Sequence, residues 1–191
     1  MPYEIIETLR EERERAKIAL QELPESERAD QNALDEQRYF EKWEGHLDKA
    51  GFGPRWLSQP EIANIVKEAL HYRDGKVFDL HTYSIMSNHV HVVLEPLGRS
   101  ECHCDLPARP EYHSDLHKIM QSLKRHTARQ ANIILGREGA FWQDESYDRV
   151  IRDNDEYIRT VNYVLENPVK AGLVLKWEDW RWMYCKFGIL E

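Results

Sequence analysis

Two histidines one residue apart, His89 and His91, are the side chains of this sequence best spaced for chemistry. They lie in Ser87-Asn88-His89-Val90-His91-Val92-Val93-Leu94, at the end of an apolar run that begins near Val77. Side chains on a strand alternate with a period of two. Both imidazoles therefore point one way, while Val90, Val92 and Leu94 point into a core. Two imidazoles side by side on a rigid strand supply half of a metal site. Two surface histidines on an edge strand would show the same spacing. Of the nine tyrosines, Tyr163 has the most informative setting. A helix is predicted from Asn154 to Glu166, with Tyr157, Ile158, Val161, Val164 and Leu165 as its apolar stripe and Tyr163 off that stripe. Asn167, four residues on, shares the face of Tyr163. A tyrosine outside the packed stripe is freer to act as a nucleophile. The nearby amide oxygen can complete a metal shell begun by His89 and His91. Read alone, periodicity favours an exposed helix tyrosine at Tyr163, and Asn167 reads as a helix stop before Pro168.

Three blocks carry a family resemblance. The run His81-Thr-Tyr-Ser-Ile-Met-Ser-Asn-His89-Val-His91-Val-Val-Leu94 resembles the His-hydrophobic-His strand of IS200-like (Y1, HUH) transposases. The runs Phe141-Trp142-Gln143-Asp144-Glu145-Ser146-Tyr147-Asp148 and Val161-Asn162-Tyr163-Val164-Leu165-Glu166-Asn167-Pro168-Val169-Lys170-Ala171-Gly172-Leu173-Val174 resemble one branch, the REP-associated tyrosine transposases. The resemblance spans roughly residues 38–182, with the blocks in the family's order. It implies an α+β fold, a ferredoxin-like antiparallel sheet flanked by helices. The family's usual first strand, with a Tyr-Phe-Val-Thr-Phe-Arg-like pattern, does not precede Pro2. The sheet is expected without that strand, or with another segment in its place.

The resemblance also implies an activity: metal-dependent cleavage and rejoining of single-stranded hairpin DNA through a 5′-phosphotyrosine. Tyr163 matches the nucleophile position, and Asn167 matches a metal ligand one helical turn later. His89, His91 and Asn167, with phosphate oxygens and water, suit Mg²⁺ or Mn²⁺. The nitrogen ligands favour Mn²⁺ in binding strength. Thiolates for zinc are missing at matching positions. The covalent link keeps the bond energy, so no energy source is needed, and the chain has no Gly-rich phosphate loop. Cys102-His103-Cys104 lacks a second pair at zinc spacing and is expected to be inert.

The net charge of −8 argues against nucleic acid until its distribution is followed. Residues 1–36 hold eleven acids against five bases, and so carry −6 of it. Residues 118–137 hold Lys118, Lys124, Arg125, Arg129 and Arg137 with no acid. A local basic face can grip phosphate on an acidic chain, and it can equally be a solvated helix face. Lys124, Arg125 and Arg129 are candidate phosphate contacts, with Trp142, Arg149, Arg152 and Lys170 flanking the site blocks. Trp142 could stack on an unpaired base, though core packing suits it better. The rival reading is a catalytically inactive DNA-hairpin-binding protein derived from a transposase. A third is an α+β protein whose acidic helical arm binds another protein.

These residues need elements to position them. Helices are expected at residues 2–22 and from Glu27 to about Ala50, broken at Leu23-Pro24-Glu25-Ser26. The second has Leu34, Phe40, Trp43 and Leu47 as its apolar positions. A third runs from Gln59 to Tyr72, capped by Ser58 with Pro60 at its first turn. Strands follow at about 77–86 and 89–95, a basic helix from about Leu116 to Leu135, and an extended segment at 141–152. The helix of Tyr163 then ends at Asn167-Pro168, before a packed tail bearing Trp177, Trp180 and Trp182. This organisation reads as an acidic helical extension, 1–36, and a transposase-like domain, 37–191. Three cysteines, no signal-peptide pattern and no apolar run of about 18 residues suggest a reduced, cytoplasmic protein, monomer or homodimer, with no membrane partner.

Overall fold

The computed structural model describes residues 3–48, 53–97, 112–143 and 146–187. Cys102-His103-Cys104 and the side chain of Asp115, expected to cap the basic helix, lie outside what it describes. The chain forms two compact units, Met1–Pro54 and Arg55–Glu191. The boundary suggested by the charge pattern, 36/37, falls inside the second helix.

The first unit is a helical hairpin of α1 (Tyr3–Glu22) and α2 (Glu25–Asp48). Pro24 breaks the chain between them, and Arg28 donates to the carbonyls of Gln21 and Leu23 at 2.9 and 2.8 Å. Those carbonyls end α1 and have no intrahelical partner, so the guanidinium caps them. Arg13 pairs with Glu36 at 3.0 Å and Lys42 with Glu12 at 2.6 Å. Trp43 is buried, but Leu34 is 51% exposed, contrary to its assignment to the apolar face. At about 100° per residue, nine positions put Leu34 on the opposite side of the helix from Trp43.

The second unit is α+β, as expected. Its elements are α3 (Pro60–Arg73), β1 (Phe78–Ile85), β2 (Val90–Pro96), α4 (Tyr112–Ile134), α5 (Asn154–Lys170) and β3 (Met183–Cys185). Among the described residues the sheet has three antiparallel strands in the order β2-β1-β3. Pro60 begins α3, but Ser58 does not cap it. Its hydroxyl donates to Arg55 O at 2.6 Å inside a short 3₁₀ turn. Asp74-Gly75 makes the turn into β1, where Gly75 has φ +70° and the Asp74 carboxylate accepts from Leu80 N at 2.9 Å.

The two faces of the sheet carry different chemistry. Leu80, Tyr83 and Ile85 of β1 pair with Leu94, Val92 and Val90 of β2 and face the apolar core beneath α3 and α4. Thr82 and Ser84 pair with Val93 and His91 on the other face, against which α5 packs. Trp182 is buried in the core and Trp180 packs against it, so this part of the tail is a packed flap.

Two predicted boundaries are corrected. The described residues of 141–152 form no strand. The segment is held instead by side chains: Trp142 Nε1 donates to Thr127 Oγ1 at 2.8 Å, and Lys124 donates to the Gln143 carbonyl at 2.9 Å. Helix α5 does not stop at Asn167-Pro168 but runs on to Lys170. Pro168 lacks one N–H, a local loss that does not by itself end the helix. The terminator is Gly172 at φ +68°, with Gly172 N donating to Val169 O and Leu173 N to Pro168 O, both at 2.9 Å. This is the paired-bond cap that a left-handed glycine permits.

Candidate functional site

Strand β2 and helix α5 bring four of the predicted residues together. His89, just before β2, and His91, within it, point their Nε2 atoms at each other, 2.9 Å apart. Asn167 Nδ2 lies 2.8 Å from His91 Nε2. The ring of Tyr163, one turn earlier on α5, meets the His91 ring edge to face, with centroids 5.8 Å apart. Asn167 lies inside the helix and is 1% exposed, so the extra turn of α5 fixes its side chain against the sheet. Tyr163 is half-buried rather than fully out in solvent.

Helix α5 is fixed at its start as well. The Asp153 carboxylate accepts from Glu156 N at 2.7 Å, an N-terminal cap. The buried Glu156 carboxylate accepts from Arg152 N at 2.9 Å and forms an ion pair with Arg149.

Burial sets the protonation of the histidines. It pulls His89 down to about 4 and holds His91 well below the usual imidazole range, with the charge of His89 a further cause. Both are therefore neutral near pH 7, each with one bare ring nitrogen. Asn88 Oδ1 lies 2.8 Å from His89 Nδ1, which places the His89 proton there and leaves Nε2 as a lone pair. If Asn167 Nδ2 donates to His91 Nε2, two lone pairs face each other at 2.9 Å. Asn167 Oδ1 is buried without a hydrogen-bond partner, and a half-turn of the amide exchanges it with Nδ2. Facing lone pairs and an orphaned carbonyl oxygen are a donor set that a divalent cation would satisfy. Among the described residues no three His, Cys, Asp or Glu side chains are grouped to hold a metal, so the third donor would be this amide.

The candidate DNA contacts divide. Arg125 and Arg129 are exposed on α4. Lys124 is tethered to Gln143, Trp142 is packed on the core, and Arg149 is paired with Glu156. The Arg152 side chain is exposed beside that ion pair. Lys170 Nζ sits over the Tyr163 ring, 4.8 Å from its centroid. Sequence reasoning missed Asn88, which orients His89; its position next to the first histidine was the available signal. It also missed a bond between His81 and Tyr157, for which spacing gave no signal.

No family model matches the chain, and no curated protein matches it. Among solved structures, the chain is similar to that of a REP-associated tyrosine transposase bound to a REP hairpin. The similarity is 20% identity over 68% of this chain and 67% of that one, with a TM-score of 0.45. No helix among the described residues is long and apolar enough to cross a membrane.

Proposed function

We propose that this chain is a metal-dependent endonuclease and strand-transferase acting on single-stranded hairpin DNA. One observation carries the reading: a single chain brings the Tyr163 ring and the Asn167 amide of α5 onto the His89–His91 pair of β2. The sequence resemblance of the same three blocks supports it. Tyr163 Oη attacks phosphorus, the P–O3′ bond breaks, the 3′ oxygen leaves as a hydroxyl and the 5′ phosphoryl group stays on the tyrosine. Attack by a 3′-hydroxyl on the phosphotyrosine reverses the step and joins strands. His89, His91 and Asn167 would hold Mg²⁺ or Mn²⁺, which would supply polarisation of the phosphoryl oxygen. Lys170 adds positive charge beside the nucleophile, and Arg125 and Arg129 offer phosphate contacts.

The test is an adduct assay. Labelled single-stranded hairpin DNA with Mn²⁺ is expected to give a denaturant-resistant protein–DNA adduct, which Tyr163→Phe abolishes while hairpin binding persists. Cleavage and adduct unchanged in Tyr163→Phe would sink the assignment. Binding by the wild type without any adduct would favour a non-catalytic hairpin-binding protein.

A further inference from the structure

The sheet face under α5 holds a second polar contact, separate from the histidine pair. The register of β1 against β2 shifts between Leu80 and Thr82, so His81 is an extra residue, a bulge. Leu80 faces the core opposite Leu94, and Thr82 faces α5 opposite Val93. Were His81 instead to take a regular place in the ladder, strict alternation would return Thr82 to the core side and carry Tyr83 and Ile85 out of it. The bulge keeps those two residues in the core and aims His81 at α5, a use to which bulges beside functional sites are put. Its Nδ1 lies 2.6 Å from the Tyr157 hydroxyl. Its Nε2 is buried without a hydrogen-bond partner, with the Asp79 and Glu95 carboxylates 3.7 and 3.9 Å away; a proton on that nitrogen makes the Tyr157 hydroxyl the donor to Nδ1.

Between this bond and the Asn167–His91 contact, α5 meets the sheet through Val161, Val164 and Leu165, all buried. Apolar contact is non-directional and leaves a helix some freedom to roll or slide. A short hydrogen bond is directional. We propose that His81 and Tyr157 are a positioning pair that sets the rotation of α5, and through it places Tyr163 and Asn167 against His89 and His91. This deepens the function proposed above and rests on it for its catalytic consequence. Neither residue touches the reacting atoms.

Tyr157→Phe removes only the hydroxyl. In the full-length variant, hairpin affinity is expected to match the wild type, while single-turnover adduct formation slows by about tenfold to hundredfold, the scale of a misplacement of about 1 Å. The His91 Hε1 resonance, which the Tyr163 ring current shifts, is expected to move. His81→Gln keeps an acceptor for Tyr157 and is expected to retain more activity than His81→Ala. A Tyr157→Phe protein with the wild-type rate and His91 resonance overturns the proposal, as does equal loss in the two His81 variants. If Tyr157→Phe fails to fold, the His81 pair decides. If the wild type forms no adduct, the activity reading fails by itself, and the His91 resonance in Tyr157→Phe still decides the positioning role.

Discussion

At the scale of single residues, the two neutral imidazoles set how the protein responds to acid. His89 has a folded pKa of about 4, against an ordinary value near 6.5. Below pH 6.5 the unfolded chain takes up a proton that the folded chain refuses. The stability from keeping this ring neutral is therefore fully present above pH 6.5 and is lost as pH falls toward 4. The urea-unfolding midpoint is expected to drop between pH 7 and 5, and His89→Gln is expected to flatten that drop. An equally steep drop in His89→Gln would assign the acid sensitivity elsewhere. The His-x-His pair was legible because a period of two is a backbone property. The contacts that orient its rings come from Asn88 and from Asn167, 76 residues from His91. No local pattern announces the second of these.

At the scale of elements, α5 departs most from its sequence signature. Asn-Pro reads as a stop, yet the buried Asn167 and Pro168 sit within the helix. The helix ends where Gly172 takes a left-handed turn that any side chain would strain. Gly172→Ala meets no neighbouring atom, so its cost is conformational, about 1 kcal/mol. Chemical denaturation should show that loss, together with faster amide exchange in the last turn of α5; unchanged stability would contradict it. The existence and type of α3, α4 and α5 were legible. The caps were not, because the hydroxyl of Ser58 is taken by Arg55 O and the start of α3 rests on Pro60. The bulge at His81 was hidden for a related reason: it exists only relative to a partner strand. At 141–152 the residue types permitted an extended strand, but the described backbone is anchored through Trp142 and Gln143 rather than in the sheet.

At the scale of the whole molecule, charge is divided between the units. Residues 1–54 hold fourteen acids and eight bases, a net −6 of the chain's −8. Such a field repels DNA over roughly a Debye length, about 10 Å at 0.1 M salt. A chain of residues 55–191 is expected to bind hairpin DNA more tightly than the full chain at low salt, with the difference fading as salt rises. Equal affinity at every salt concentration would remove electrostatic restraint by the helical hairpin. The same second unit has a consequence for how the protein comes into being. Strand β1 pairs with β3 about a hundred residues later, where Thr82 meets Cys185, and His91 waits for Asn167. Contacts of such long range form late, and during synthesis they cannot form until the C-terminal strand has left the ribosome. A nascent chain thus carries every histidine of the site long before it has a tyrosine to place against them. On the proposed reading, the site could not act until the C-terminal part of the fold is made.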